Sequence, residues 1–213
     1  MSTPDRRVLV LAHTGREAAV AAAEELVHLL VAAGIKPIVM PSDSEGLTDK
    51  TMELLHPAGS ADPLEAIELV IVLGGDGTIL RSAELVRGHT APLLGVNLGH
   101  VGFLAESERD DLAYTVQRVA ARDYEVEERM TLDVAVDLDG VRIADMWALN
   151  EASVEKANRE RMIEVVIEVD GRPVTEFGCD GVVMATPTGS TAYAFSAGDR
   201  SSGPRWRRCC SPR

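Results

Sequence analysis

The feature that most constrains the fold of this chain is a change of hydrophobic period part-way along it. Up to about residue 122, short apolar runs alternate with longer segments of helical composition. Arg7–Ala12 (RVLVLA) and Leu69–Leu73 (LVIVL) read as buried strands, and residues 36–40 (KPIVM) and Leu93–Asn97 (LLGVN) as two more. Residues 16–33, 48–56, 78–87 and 107–121 read as helices, with Gly34 at the C-cap of the first and residues 41–46 as a loop. Strands alternating with helices predict a parallel sheet covered by helices.

From Met130 onward a period of two takes over. Residues 131–138, 141–145 and 147–154 read as strands, with Asp139-Gly140 as a hairpin turn. Residues 161–169 and 172–177 repeat the pattern around Asp170-Gly171, and Gly181–Ala185 is a further apolar strand. The second half is therefore expected to be mostly antiparallel β. The expected organisation is an α/β domain over residues 1–125, a partial all-β domain over 126–198, and an Arg-rich tail over 199–213. That tail holds five of the 21 basic residues but only one of the 34 acidic ones. So abrupt a reversal has two readings: a basic disordered tail, or a reading frame lost near Gly198.

Bulk properties narrow the class. The formal charge of −13 gives no overall attraction for a nucleic-acid backbone. A polyanionic ligand would have to be held locally, by backbone N–H groups, a few Arg side chains or a metal ion. No apolar run approaches the roughly 18 residues of a membrane span, and residues 1–7 lack the apolar core of a secretory signal. Three cysteines, Cys179, Cys209 and Cys210, make neither a disulfide framework nor a zinc pattern. A cytoplasmic protein without nucleic-acid or membrane partners is expected.

Four motifs carry chemistry. The first is Gly74-Gly75-Asp76-Gly77-Thr78, between a strand and a helix. Its glycines permit a sharp turn and close approach to a ligand, and the helix N-terminus offers N–H groups to phosphate. Asp76 lies at the C-terminal end of a parallel strand, where open α/β sheets place their sites. It is a candidate general base or metal ligand; a plain helix cap is the bland alternative. The second motif, residues 97–104 (NLGHVGFL), sets two glycines after a strand, with Phe103 as a possible stacking face for a base. The third is Asn150-Glu151 at a strand end, an amide and carboxylate suited to ribose hydroxyls or an adenine edge. The fourth is Cys179-Asp180-Gly181 followed by residues 186–196 (TPTGSTAYAFS), a hydroxyl-rich run in which Tyr193 offers a ring to a base.

In this order, the four motifs resemble the NAD kinase family over roughly residues 7–198. GGDGT is shared with lipid kinases, whereas TPTGSTAY with an upstream NE is far more specific. The resemblance implies a Rossmann-like α/β domain, an all-β domain and a site in the cleft between them. It implies that Asp76 takes the proton from the 2′-hydroxyl of the adenosine ribose of NAD, giving NADP. Gly75 and Gly77 would contact the dinucleotide, and Arg81 would reach a phosphate. Asn150 and Glu151 would bind the nucleotide with Asp180 and Arg161 nearby, and Thr191, Ala192, Tyr193 and Ser196 would line the base pockets. ATP or polyphosphate would be the donor, a divalent ion such as Mg²⁺ would bridge its phosphates, and the assembly would be a homodimer or homotetramer. After Gly198 family members continue into a long β-rich remainder, whereas here Asp199 opens the Arg-rich stretch. Part of the β domain is thus expected to be missing. The competing expectations are a non-catalytic dinucleotide-binding derivative, a chain that does not fold, and a lipid kinase, the last disfavoured by the acidic charge.

Overall fold

The run LVIVL forms a strand buried at every residue, and a five-stranded sheet is built around it. The computed structural model describes residues 6–13, 15, 17–55, 64, 66–98, 104–105, 107–108, 111–158 and 161–198. The chain divides into two units, Met1–Glu127 and Glu128–Arg213.

The first unit contains, in chain order, β1 (Arg7–Ala12), α1 (Glu17–Ala32), β2 (Lys36–Val39), α2 (Asp49–Met52), β3 (Leu69–Leu73), α3 (Asp76–Leu85), β4 (Leu93–Asn97), β5 (Ser107–Glu108) and α4 (Leu112–Ala121). The strands run parallel in the order β2-β1-β3-β4-β5. From β1 the chain steps outward to β2, then returns across β1 to β3. The order of connection therefore reverses between β1 and β3, whose ends are in register at Ala12 and Leu73. In open parallel sheets, ligands bind beyond the strand ends at such a reversal.

Alternation along the strands makes two cores. Val8, Val10 and Ala12 of β1 and Leu69, Ile71 and Leu73 of β3 share a cluster with Leu26 and Leu30 of α1 and Val116 and Val119 of α4. Leu9, Leu11, Val70 and Val72 share the opposite cluster with Ile79 of α3. Burying each of the Val, Leu and Ile side chains stabilises by about 1.5–3 kcal/mol. Helix α1 ends as predicted at Gly34, where Ile35 N–H donates to the Leu30 carbonyl and Gly34 N–H to that of Val31, the paired bonds of a Schellman cap. Arg6 ties the start of β1 to the end of α4. Its Nε donates to Glu68 Oε2 at 2.8 Å, and its guanidinium donates to the Ala120 and Val119 carbonyls at 2.7 Å.

The second unit contains β6 (Leu132–Leu138), β7 (Val141–Ala148), β8 (Glu151–Glu155), β9 (Ile163–Val169), β10 (Arg172–Cys179), β11 (Gly181–Ala185), a 3₁₀ turn at Thr188–Thr191 and α5 (Tyr193–Gly198). All three strand pairs are antiparallel: β6–β7, β9–β10 and β8–β11. The two predicted Asp-Gly turns are present, with φ of 51° and 78° at Asp139-Gly140 and 52° and 71° at Asp170-Gly171. Positive φ at both central residues matches the twist of a hairpin. Among the described residues, the buried apolar side chains of this unit are Cys179 and Ala197, whereas Leu138, Val141, Ile143 and Val174 are more than half exposed.

The α/β half followed by an antiparallel β half agrees with the sequence, and four local expectations are corrected. The helix expected at 107–121 begins at Leu112, because Ser107 and Glu108 pair with Val96 and Asn97 at the sheet edge instead. The helix expected at 48–56 is confined to Asp49–Met52, with residues 56–63 outside the described set. The helix expected from Thr78 starts at Asp76, the Gly75 carbonyl accepting from the Thr78 and Ile79 N–H groups. The single strand expected at 147–154 is broken at Leu149-Asn150, since β7 pairs with β6 whereas β8 pairs with β11. Among the described residues no helix is long and apolar enough to cross a membrane.

Two outcomes test this description. Ile71→Ala is expected to lower unfolding free energy by about 2–5 kcal/mol, and Val141→Ala by less than about 0.5 kcal/mol, both read by denaturant titration. The hydrogen bonds from Arg6 hold the Glu68 carboxyl below the ordinary carboxylate range. A carboxyl so depressed stabilises the fold above its unfolded pKa of about 4.3, and that contribution is lost as pH falls through the lower folded value. Glu68→Gln is therefore expected to flatten the acid limb of the stability–pH curve.

Candidate functional site

In the first unit the site is built on the end of β3. Gly74 N–H donates to the Val96 carbonyl at 3.0 Å, which continues the sheet for one more residue before the turn. Gly75 is then the extended N-cap of α3 (φ −97°, ψ −171°), and Asp76 opens the helix, half-buried. One carboxylate oxygen, Oδ1, accepts the Leu104 N–H at 3.1 Å. Asp76 is thereby held by the last residue of the second glycine motif. Gly77 is exposed. Phe103, predicted to stack, lies with residues 99–102 outside the described residues.

Arg81 lies one helical turn beyond the glycine turn, its side chain 69% exposed and 3.7 Å from Asp43 Oδ1. Asp43 sits in the short 3₁₀ turn after β2 and is almost fully buried. Burial pushes its carboxyl up from the usual carboxylate value, against the pull of the Arg81 charge. These two side chains, with Leu11, Ala12, Thr78, Ser82 and Leu85, line a recess beside the reversal point of the sheet. Sequence reading passed over Asp43; its only signal was an acidic residue in an otherwise ordinary loop.

In the second unit the β8–β11 ribbon carries the remaining candidates. Asn150 and Glu151 stand at one end, where Glu151 pairs with Ala185. Burial raises the Glu151 carboxyl above its ordinary value. Asn150 Oδ1 and Glu151 Oε2 are buried and have no hydrogen-bond partner. Such orphaned acceptors are rare, because each costs about 1–3 kcal/mol when left unpaired. Asp180 stands at the opposite end of the ribbon, its Oδ1 2.6 Å from Lys156 Nζ. The run after β11 turns back through the 3₁₀ turn into α5. Tyr193, half-exposed, donates its hydroxyl to Glu155 Oε1 at 3.1 Å, and Ser196 Oγ donates to the Tyr193 carbonyl. Thr191 is exposed and Ala192 half-buried beside it; Arg161 is exposed ahead of β9. The ribbon thus gathers Asn150 with Glu151 at one end, separates them from Asp180, and leaves Arg161 on another hairpin. Thr186, missed as a site residue, is the hub between Asn150 and the 3₁₀ turn.

Among the described residues no group of three or more His, Cys, Asp or Glu side chains is placed to hold a metal ion.

This parallel sheet with a glycine turn at its reversal point, followed by an antiparallel β unit, has close counterparts. The ATP-NAD kinase N-terminal domain family matches residues 8–124, and the ATP-NAD kinase C-terminal domain family matches residues 149–212. The NAD kinase of Leifsonia xyli subsp. xyli is 61% identical over 195 residues, covering 91% of this chain and 64% of that protein. NAD kinase 2 of Streptomyces coelicolor is 58% identical over 196 residues, with the same two coverages. The crystal structure of yeast NADH kinase complexed with NADH superposes with a TM-score of 0.79 at 26% identity, covering 92% of this chain and 62% of that one. The structure of an NAD kinase from Archaeoglobus fulgidus in complex with ATP gives a TM-score of 0.61 at 27% identity, covering 91% and 65%. The chain belongs to the NAD kinase family. It spans 64% of the length of the two bacterial relatives.

The glycine turn yields a specific expectation. A methyl group on Gly74 would lie 2.6 Å from Thr78 Oγ1 and 2.9 Å from Thr78 Cβ, so the first turn of α3 would have to move. Gly74→Ala is expected to cost about 1–3 kcal/mol of stability, and adding Thr78→Ala should recover part of that loss in the same denaturant titration.

Proposed function

We propose that this chain carries the residues of a phosphotransferase that moves a phosphoryl group from ATP or polyphosphate to the 2′-hydroxyl of the adenosine ribose of NAD, yielding NADP. The observation that carries this is the buried acceptor pair, Asn150 Oδ1 and Glu151 Oε2, left without donors by the protein. A ribose diol or an adenine amino group supplies donors of that kind. The second support is Asp76, whose Oδ1 accepts the Leu104 N–H, which fixes the carboxylate at the start of α3 just beyond the end of β3.

Phosphoryl transfer depends chiefly on alignment and charge neutralisation. Asp76 accepts the ribose proton as the hydroxyl oxygen attacks. Backbone N–H groups of Gly75 and Gly77, at the start of α3, and the exposed Arg81 guanidinium hold phosphate oxygens. Asn150 and Glu151 orient the nucleotide, with Asp180 and Arg161 as further polar contacts. Thr191, Ala192, Tyr193 and Ser196 are assigned to the walls of the base pockets, and Phe103, on its place in the second motif alone, to stacking on a base. A divalent ion such as Mg²⁺, held chiefly by the donor's phosphates, would supply charge neutralisation when bound. We further assign the protein to the cytoplasm and to a homodimer or homotetramer, with no nucleic-acid or membrane partner.

A second reading, dinucleotide binding without turnover, is favoured by the β unit's small share of buried apolar side chains. Calorimetry with NAD beside an assay for NADP separates the two. Asp76→Asn is expected to leave NAD affinity within about threefold while NADP formation falls by about 10²–10⁴-fold. Unchanged turnover in that variant would remove Asp76 from the role of base.

A further inference from the structure

Thr186 is a polar residue that is 2% exposed. Its Oγ1 donates to the Leu149 carbonyl at 2.6 Å, with the Asn150 carbonyl at 3.1 Å as second acceptor, and accepts the Gly189 N–H at 3.0 Å. Its own N–H donates to the Asn150 carbonyl at 2.8 Å. Gly189 is buried against the same peptide, and a methyl group there would overlap the Asn150 carbonyl group. The segment joining β7 to β8 is therefore gripped from two directions, by the Thr186 hydroxyl and by Gly189, neither of which carries a ligand contact assigned above.

What this grip holds in place is the acceptor pair. Asn150 and Glu151 follow directly on the clamped Leu149 carbonyl, and their Oδ1 and Oε2 atoms are the two buried side-chain acceptors left bare among the described residues. A free chain would turn such groups toward water or toward a neighbouring N–H. A fixed backbone narrows the directions that these side chains can reach. Strand register alone brings Thr186 beside Asn150; the bonds of its hydroxyl to the Leu149 carbonyl and the Gly189 N–H go beyond that register.

We propose that Thr186 and Gly189 are positioning residues, which clamp the Leu149-Asn150 peptide so that Asn150 Oδ1 and Glu151 Oε2 remain open to the hydrogen-bond donors of a nucleoside. This deepens the nucleotide-binding role given to Asn150 and Glu151 and rests on it. Serine at position 186 keeps the hydroxyl; valine keeps the shape and loses it. Glycine at 189 is required by contact and not by backbone conformation, so alanine there should act like valine at 186.

The test uses the full chain with three variants, Thr186→Ser, Thr186→Val and Gly189→Ala. NAD affinity is measured by calorimetry and the Glu151 carboxyl is titrated by carbon NMR. Thr186→Ser is expected to bind NAD within about threefold of the parent. Thr186→Val and Gly189→Ala should weaken binding by about tenfold or more, the scale of one or two lost hydrogen bonds. In the latter two the Glu151 titration should move down toward the ordinary carboxylate value, while resonances of the β9–β10 hairpin stay in place. Parental affinity and an unmoved Glu151 titration in Thr186→Val would overturn the clamp, as would equal damage from serine and valine. Failure of the parent chain to bind NAD would remove the nucleotide-binding role alone, because the Glu151 titration reports the clamp without ligand. Should Thr186→Val unfold the second unit, amide exchange in the parent decides. Slow exchange at Gly189 N–H supports the clamp, and exchange at the rate of an open loop refutes it.

Discussion

The first unit depends on one strand. β3 has a neighbour on both edges and a hydrophobic cluster on both faces, so none of its five residues has freedom to move. Its carboxyl end must therefore emerge at one place, next to the end of β1, where the connections of the sheet reverse. A strand so confined is what lets a turn of small residues present a carboxylate reproducibly. Asp76 is aimed by the sheet below it, by the helix it opens and by one N–H from Leu104. Loss of order in β3 would remove all three at once.

The second unit is held together differently. Among the described residues its hairpins bury few apolar side chains, and the interactions that define local geometry are polar: the pairing ladders, the tie from Tyr193 to Glu155, the Lys156–Asp180 ion pair and the cluster around Thr186. Polar networks specify geometry well when each member is satisfied. Here every bond of the Thr186 cluster is made, and the unsatisfied atoms lie just beyond it, on Asn150 and Glu151. Unpaired groups beside a fully paired scaffold mark a place built to receive donors from elsewhere.

Much of this was legible beforehand. Period and composition were enough for β1 and β3, because a run such as LVIVL has no soluble alternative to a covered strand, and the Asp-Gly turns announce themselves through residues that tolerate positive φ. The glycine turn after β3 was equally visible. Other features were invisible for physical reasons. Residues 147–154 satisfy strand patterning throughout, so nothing local signals that β7 and β8 choose different partners. Ser107 and Glu108 carry no strand preference and pair only because the edge of β4 lies open beside them. Asp43 stands out only once the fold buries it beside Arg81.

By itself, then, the amino-acid order determined which residues could bear chemistry and in which kind of element each would stand, since periodicity and turn chemistry act over a few neighbouring positions. Tertiary structure decided which of those residues meet. It set Asn150 and Glu151 at one end of the β8–β11 ribbon and Asp180 at the other, joined Leu104 to Asp76, and brought Thr186 against a peptide 36 residues earlier in the chain. Contacts of that span are settled by which strand edges and faces find partners, and no short stretch of sequence holds that information.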